Sequence, residues 1–130
     1  MAITVLIVDD DGVVSMTLAR QLSSVGYASK TAASNAEALA LAASEPFAAI
    51  FIDYHLPDGN GVKLMTQLRQ IQAQAKLVMT TGWNEGSVRA ELRSARLDDC
   101  AILPKPWSFS QVLSIVAAAE RVADRDAGRS

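Results

Sequence analysis

Apolar residues along this chain gather in short runs, separated by longer stretches with helical spacing. The runs fall at residues 4–8, 27–31, 48–52, 76–80 and 100–103. They show little strict alternation, the pattern of strands buried on both faces of a parallel sheet. The run at 27–31 is the most polar of them and reads as an edge strand. Between and after the runs, apolar residues recur at intervals of three and four. Val14, Leu18, Leu22 and Val25 predict one helix, and Ala36, Leu39, Ala40 and Ala43 a second. Leu64, Met65, Leu68 and Ile71 predict a third. Residues 85–95 carry only Val88 and Leu92 as large apolar positions and predict a weaker fourth. Val112, Leu113, Ile115, Val116 and Ala119 predict the last. Ser34 with Glu37, and Ser108 with Gln111, have capping-box spacing at helix starts. Five strand–helix units with right-handed crossovers predict an α/β fold: a (βα)5, flavodoxin-like, doubly wound parallel sheet of order 2-1-3-4-5. The expected domain runs over residues 1–121, with 122–130 as a frayed polar C-terminal tail.

Composition narrows the class. The 130 residues suit one domain. A formal charge of −2 and a pI near 5.3 argue against direct nucleic-acid binding. Cys100 is the single cysteine, so no internal disulfide is expected and a reducing, cytoplasmic setting is the default. The opening run Val5-Leu6-Ile7-Val8 ends in three acids, too short for a signal-peptide core or a membrane span.

The informative residues follow the strands. Run one leads into Asp9-Asp10-Asp11, run three into Asp53, run four into Thr80-Thr81, and run five into Pro104-Lys105-Pro106. In an open parallel sheet the carboxyl ends of all strands share one rim, and ligands bind where strand order reverses. Order 2-1-3-4-5 therefore predicts that Asp9, Asp10 and Asp53 converge, flanked by Thr81 and Lys105. Two carboxylates about 5 Å apart repel by roughly 3 kcal/mol at an effective dielectric of about 20. Such a group either retains a proton or binds a divalent cation, and oxygen ligands with open water positions suit Mg2+ or Mn2+. A metal, a carboxylate nucleophile, a hydroxyl and an ammonium together fit phosphoryl transfer onto Asp53. Thr81 would donate a hydrogen bond, Gly82 favouring it over Thr80 by leaving room for close approach, and Lys105 would neutralise charge. Other polar residues have plainer readings: Asp11 as a helix cap, His55 as a solvated loop residue, Gly59 and Gly61 as turn residues, Cys100 as a small buried hydrophobe.

Taken in order, Val-Leu-Ile-Val-Asp9-Asp10-Asp11, Ile52-Asp53-Tyr-His-Leu-Pro57-Asp-Gly59-Asn-Gly61, Thr81-Gly82 and Lys105-Pro106 resemble the CheY-like receiver domain of two-component response regulators. The resemblance covers the chain from Ile3 to about Arg121. It implies that Asp53 accepts a phosphoryl group from a phosphohistidine on a sensor histidine kinase or a histidine phosphotransfer protein. It also implies Mg2+ held by Asp9, Asp10, Asp53 and the backbone carbonyl of His55. Thr81 would contact the phosphoryl group and move on activation, and Lys105 would pair with the acceptor and then with phosphoryl oxygens. Family members usually hold the bond matching Lys105-Pro106 in the cis form. Ile102 stands where the family often carries Tyr or Phe, so the aromatic switch is not expected here. His55 and Trp83, two residues past the acceptor and the threonine, are expected to crowd the phosphoryl group and slow its hydrolysis.

Rival classes fit less well. A flavodoxin would need a phosphate loop where the three aspartates stand, and no Gly-x-x-x-x-Gly-Lys-[Ser/Thr] motif occurs. Asp9-Asp10-Asp11 matches the Asp-x-Asp of haloacid dehalogenase-type phosphatases, but the chain lacks their bulk. The expected protein is a cytoplasmic signalling switch or phosphorelay carrier rather than an enzyme, a monomer or weak dimer, with an unspecified output partner and no membrane association. A receiver forming part of a larger kinase or regulator, and a phosphate sink without output, are the alternatives.

Overall fold

A computed structural model describes residues 3–127 of the chain. In order the elements are β1 (Thr4–Val8), α1 (Gly12–Ser24), β2 (Ala28–Ala32), α2 (Asn35–Ser44), β3 (Ala49–Asp53), β4 (His55–Leu56) and β5 (Gly59–Asn60). There follow α3 (Gly61–Ile71), β6 (Lys76–Thr81), α4 (Glu85–Ser94), β7 (Ala101–Pro104) and α5 (Phe109–Ala127). β2, β1, β3, β6 and β7 pair in that order, every pairing parallel. With the β4–β5 hairpin set apart, this is the expected 2-1-3-4-5 order.

The strands begin within one residue of expectation, and two of the displacements have a local cause. The Tyr27 N–H closes the end of α1 on Leu22 O at 2.9 Å, so β2 starts one residue later. The Cys100 N–H likewise bonds Leu97 O at 3.0 Å, and β7 starts at Ala101. β3 extends to include Asp53 and β6 to include Thr81, which carries both residues to the rim of the sheet.

Alternate residues of each central strand serve two apolar layers, as period-two geometry requires. Val5, Ile7, Phe51 and Val78 meet Leu18 and Leu22 of α1 and Val112 and Val116 of α5. Leu6, Val8, Ile50, Ile52, Leu77 and Met79 meet α2, α3 and α4. All five residues of β3 are buried, while β2 is mostly exposed at its edge.

Three expectations are corrected. The buried face of α2 is Asn35, Ala38 and Ala42, not Ala36, Ala40 and Ala43; in an alanine-rich helix composition does not distinguish the faces. Val25 caps the end of α1 and is exposed instead of completing its stripe. α5 continues through Ala127, so residues 122–127 are helical rather than a frayed tail; residues 128–130 lie outside the described residues. No helix of the described residues is long and apolar enough to cross a membrane.

Candidate functional site

The end of β1 hands the chain to a tight turn. The Asp9 N–H bonds Ala32 O at 3.0 Å, and the Asp9 carboxylate accepts the Asp11 N–H at 2.9 Å through Oδ1. Asp11 in turn caps α1, accepting from the Val13 N–H at 3.0 Å and the Val14 N–H at 3.4 Å, as its position suggested. Two neighbouring acids are thus occupied by backbone donors, and Asp10 is exposed beside them.

Asp53 closes β3 directly alongside. One oxygen from each of Asp9, Asp10 and Asp53 lies within 4.8 Å of the other two. The Lys105 ammonium reaches Asp9 Oδ2 at 3.1 Å and Asp53 Oδ2 at 3.5 Å, bridging the ends of β1 and β3 from beyond β7. The Lys105-Pro106 bond is cis, and the Lys105 N–H donates to Thr81 O at 2.7 Å. Burial raises the Asp53 pKa above the usual carboxylate range, and the Asp9 charge adds to it, against the opposing pull of Lys105 and the His55 N–H. Burial pulls Lys105 downward, but its two carboxylate partners outweigh that and its pKa is raised. Lys105 therefore stays an ammonium, and one such charge offsets only part of three carboxylates.

Thr81 and His55 join through backbone and neighbouring atoms. Thr81 is buried, and its hydroxyl accepts the Trp83 N–H at 3.0 Å, a contact that does not use the hydroxyl hydrogen. Thr80 instead donates to Ile52 O at 3.5 Å, leaving Thr81 as the rim hydroxyl. A Cβ on Gly82 would sit 3.8 Å from the Lys105 Cβ, an ordinary contact, so packing does not demand a glycine there. The His55 side chain is exposed, while its N–H donates to Asp53 Oδ1 at 3.4 Å. Trp83 is 52% exposed and stacks on Tyr54 at 5.6 Å, and its ring lies 6.4 Å from that of His55. Ile102 is half-buried against the layer under α2, α3 and α4.

Two residues at this rim carry no obvious signal in the sequence. The Tyr54 hydroxyl, one residue past Asp53, donates to Glu91 of α4. That bond, with burial, holds the phenol pKa up at about 12. Asp58 accepts the Asn35 N–H at 2.9 Å and the Ala36 N–H at 3.3 Å, capping α2 from the hairpin. An acid at 58 just before a glycine reads as a turn residue, and nothing in its spacing points 23 residues back.

Comparison with known proteins agrees with this architecture. Response regulator MprA of Mycolicibacterium vanbaalenii is 33% identical over 128 residues, covering 98% of this chain and 54% of that protein. The chain spans about half the length of the curated relatives it matches. Among solved structures, a CheY-like receiver domain protein from Methanospirillum hungatei superposes with a TM-score of 0.84 at 26% identity, covering 98% of this chain and 99% of that one. A response regulator from Burkholderia pseudomallei, solved with a phosphorylated aspartic acid, calcium ion and citrate, gives 0.79 at 31% identity, covering 98% and 74%. The sequence pattern of the response regulator receiver domain matches residues 5–117, and on that span, with the sheet order and the acid cluster above, the chain belongs to the receiver domain family of two-component signalling.

Proposed function

We propose that the chain is a phospho-accepting switch or relay that takes a phosphoryl group from a phosphohistidine onto Asp53. The observation that carries this is the meeting of Asp9, Asp10 and Asp53 within 4.8 Å, with Lys105 joined to two of them. An Asp53 carboxylate oxygen attacks the phosphorus, the P–N bond to the donor imidazole breaks, and that nitrogen keeps the electron pair and takes a proton. The product is an acyl phosphate; water later attacks it, releasing inorganic phosphate and restoring the carboxylate. The donor set fits Mg2+, with Asp9, Asp10, Asp53 and the His55 carbonyl as its protein ligands and Mn2+ as the alternative. When bound, the ion supplies charge neutralisation at the phosphoryl oxygens.

The chain's own residues do the rest. Lys105 opposes the rise that burial and Asp9 impose on the Asp53 pKa, and then offers its ammonium to the phosphoryl oxygens. Thr81 has a hydroxyl hydrogen to donate to the same group. His55 and Trp83 crowd the approach of water and lengthen the life of the acyl phosphate. The donor is a sensor histidine kinase or histidine phosphotransfer protein, and the setting is cytoplasmic. A phosphate sink without output is the second reading, favoured by the aliphatic Ile102.

Incubation with acetyl phosphate and Mg2+, followed by intact-mass measurement, tests the assignment. One hydroxylamine-labile phosphoryl group is expected on the wild type and none on Asp53→Asn; undiminished labelling of the variant would remove Asp53 as acceptor. Following the labelled protein in time, Trp83→Ala should lose the group faster, and an unchanged decay would end the steric account.

A further inference from the structure

The hairpin that follows the acceptor is held at three points. At its base, the His55 N–H donates to Asp53 Oδ1 at 3.4 Å, and the Gly61 N–H returns to Tyr54 O at 2.8 Å. Where it leaves for α3, Asn60 accepts the Lys63 N–H at 3.1 Å and caps that helix. Its tip lies against the start of α2. There Asp58 takes the Asn35 and Ala36 N–H groups, one on each carboxylate oxygen.

The division of donors at α2 is what makes Asp58 informative. A helix begins with orphan N–H groups that need acceptors. The Ser34 hydroxyl, at the N-cap, accepts the Glu37 N–H at 3.2 Å, and the Ser34 carbonyl accepts the Ala38 N–H at 3.1 Å. The Asn35 and Ala36 amides are satisfied instead by the Asp58 carboxylate from another part of the chain, whose pKa those bonds hold below the usual range. The exposed tip reaches the same residue of α2: Gly59 has a φ of +143°, and a Cβ there would lie 3.4 Å from Asn35 Nδ2. Leu56 of β4 and Ala38 of α2 belong to one apolar layer.

We infer that Asp58 is a positioning residue for the acceptor site: by clamping the hairpin tip to α2, it sets the backbone of His55, which holds Asp53 through its N–H. The inference rests on the phospho-acceptor reading, in which the His55 carbonyl is also a metal ligand. A clamp of this kind acts on the site only through the backbone from 55 to 60. Its loss should therefore loosen that segment and weaken Mg2+ binding. A partner that orients a ligand commonly changes metal affinity by ~10-fold or more.

Two variants separate the clamp from general support of α2. Asp58→Ala removes the acceptor on the hairpin, whereas Ser34→Ala removes a cap of the same helix that does not touch the hairpin. Amide hydrogen exchange of residues 55–60 without metal, and calorimetric titration with MgCl2, are read on both. Asp58→Ala is expected to accelerate exchange at His55 and raise the Mg2+ dissociation constant by ~10-fold. Ser34→Ala should leave both near wild type, and Asp58→Asn, which keeps one acceptor oxygen, should fall between. Should Asp58→Ala fail to fold, Asp58→Asn carries the comparison. Unchanged exchange in the Asp58 variants, or equal acceleration in Ser34→Ala, would overturn the clamp. If the wild type neither binds Mg2+ nor accepts a phosphoryl group, the function proposed above fails, while the exchange comparison still decides the clamp.

Discussion

Gly61 shows how little room surrounds Asp53. A Cβ on it would lie 2.6 Å from the Asp53 carbonyl oxygen and 3.1 Å from both Ile52 Cγ2 and Met79 Sδ. The closest of these is backbone and cannot swing aside, so an added methyl must push the first turn of α3 off the end of β3. Gly12, at the start of α1, offers the opposite case, with nothing within 4 Å of its Cβ position. Gly61→Ala is expected to destabilise the protein by about 1–3 kcal/mol, the usual range for overpacking. Gly12→Ala should be neutral or stabilising by up to ~1 kcal/mol. Urea unfolding of the two variants checks this, and equal stabilities would show that α3 yields without strain. In the sequence Gly61 reads as a turn residue like Gly59. Only the packing of α3 against β3 reveals that its role is close approach, because the atoms it spares lie in other elements.

Elements were legible where burial is written into consecutive residues, and illegible where a partner sits elsewhere. β1, β3 and β6 appear as apolar runs because both faces of a central strand are covered. β4 and β5, two residues each, have no room for a period, and Asp58 and Tyr54 find partners 23 and 37 residues away. The Tyr54–Glu91 bond gives the end of β3 a direct hold on α4, in a chain where Ile102 lacks a ring. That hold has a pH signature. The Glu91 hydrogen bond, burial and the Glu91 charge together raise the Tyr54 pKa from 10.0 to about 12. The folded state therefore keeps its proton more tightly than the unfolded chain. The resulting stability is fully present below pH 10.0 and is lost as pH rises toward about 12. Phenolate absorbance titrated in wild type and Tyr54→Phe isolates this group. A midpoint for Tyr54 at the ordinary 10.0 would show that Glu91 does not hold it.

At the scale of the whole molecule, sheet order converts three separated chain segments into one electrostatic problem. β1 lies between β2 and β3, so Asp9 and Asp10 face Asp53 across the gap where order reverses, and Lys105 arrives from the far edge. Carboxylate pairs whose oxygens lie within 4.8 Å repel by roughly 3 kcal/mol or more at an effective dielectric of about 20, less where solvent reaches Asp10. The fold tolerates that repulsion without metal through Lys105 and the N–H groups of Asp11 and His55. Mg2+ binding should then appear as added stability. At ten times its dissociation constant the gain is about 1.4 kcal/mol, a Tm rise of a few degrees for a chain of this size. Asp10→Asn separates the two effects, because it removes a repelling charge and a proposed ligand at once. Its metal-free Tm should equal or exceed that of the wild type, while its Mg2+-dependent rise should shrink. Thermal unfolding of both proteins, with and without MgCl2 at matched ionic strength, reads the two terms independently. A full Mg2+ shift in Asp10→Asn would mean the cation binds elsewhere. A lower metal-free Tm would mean Asp10 supports the fold rather than straining it.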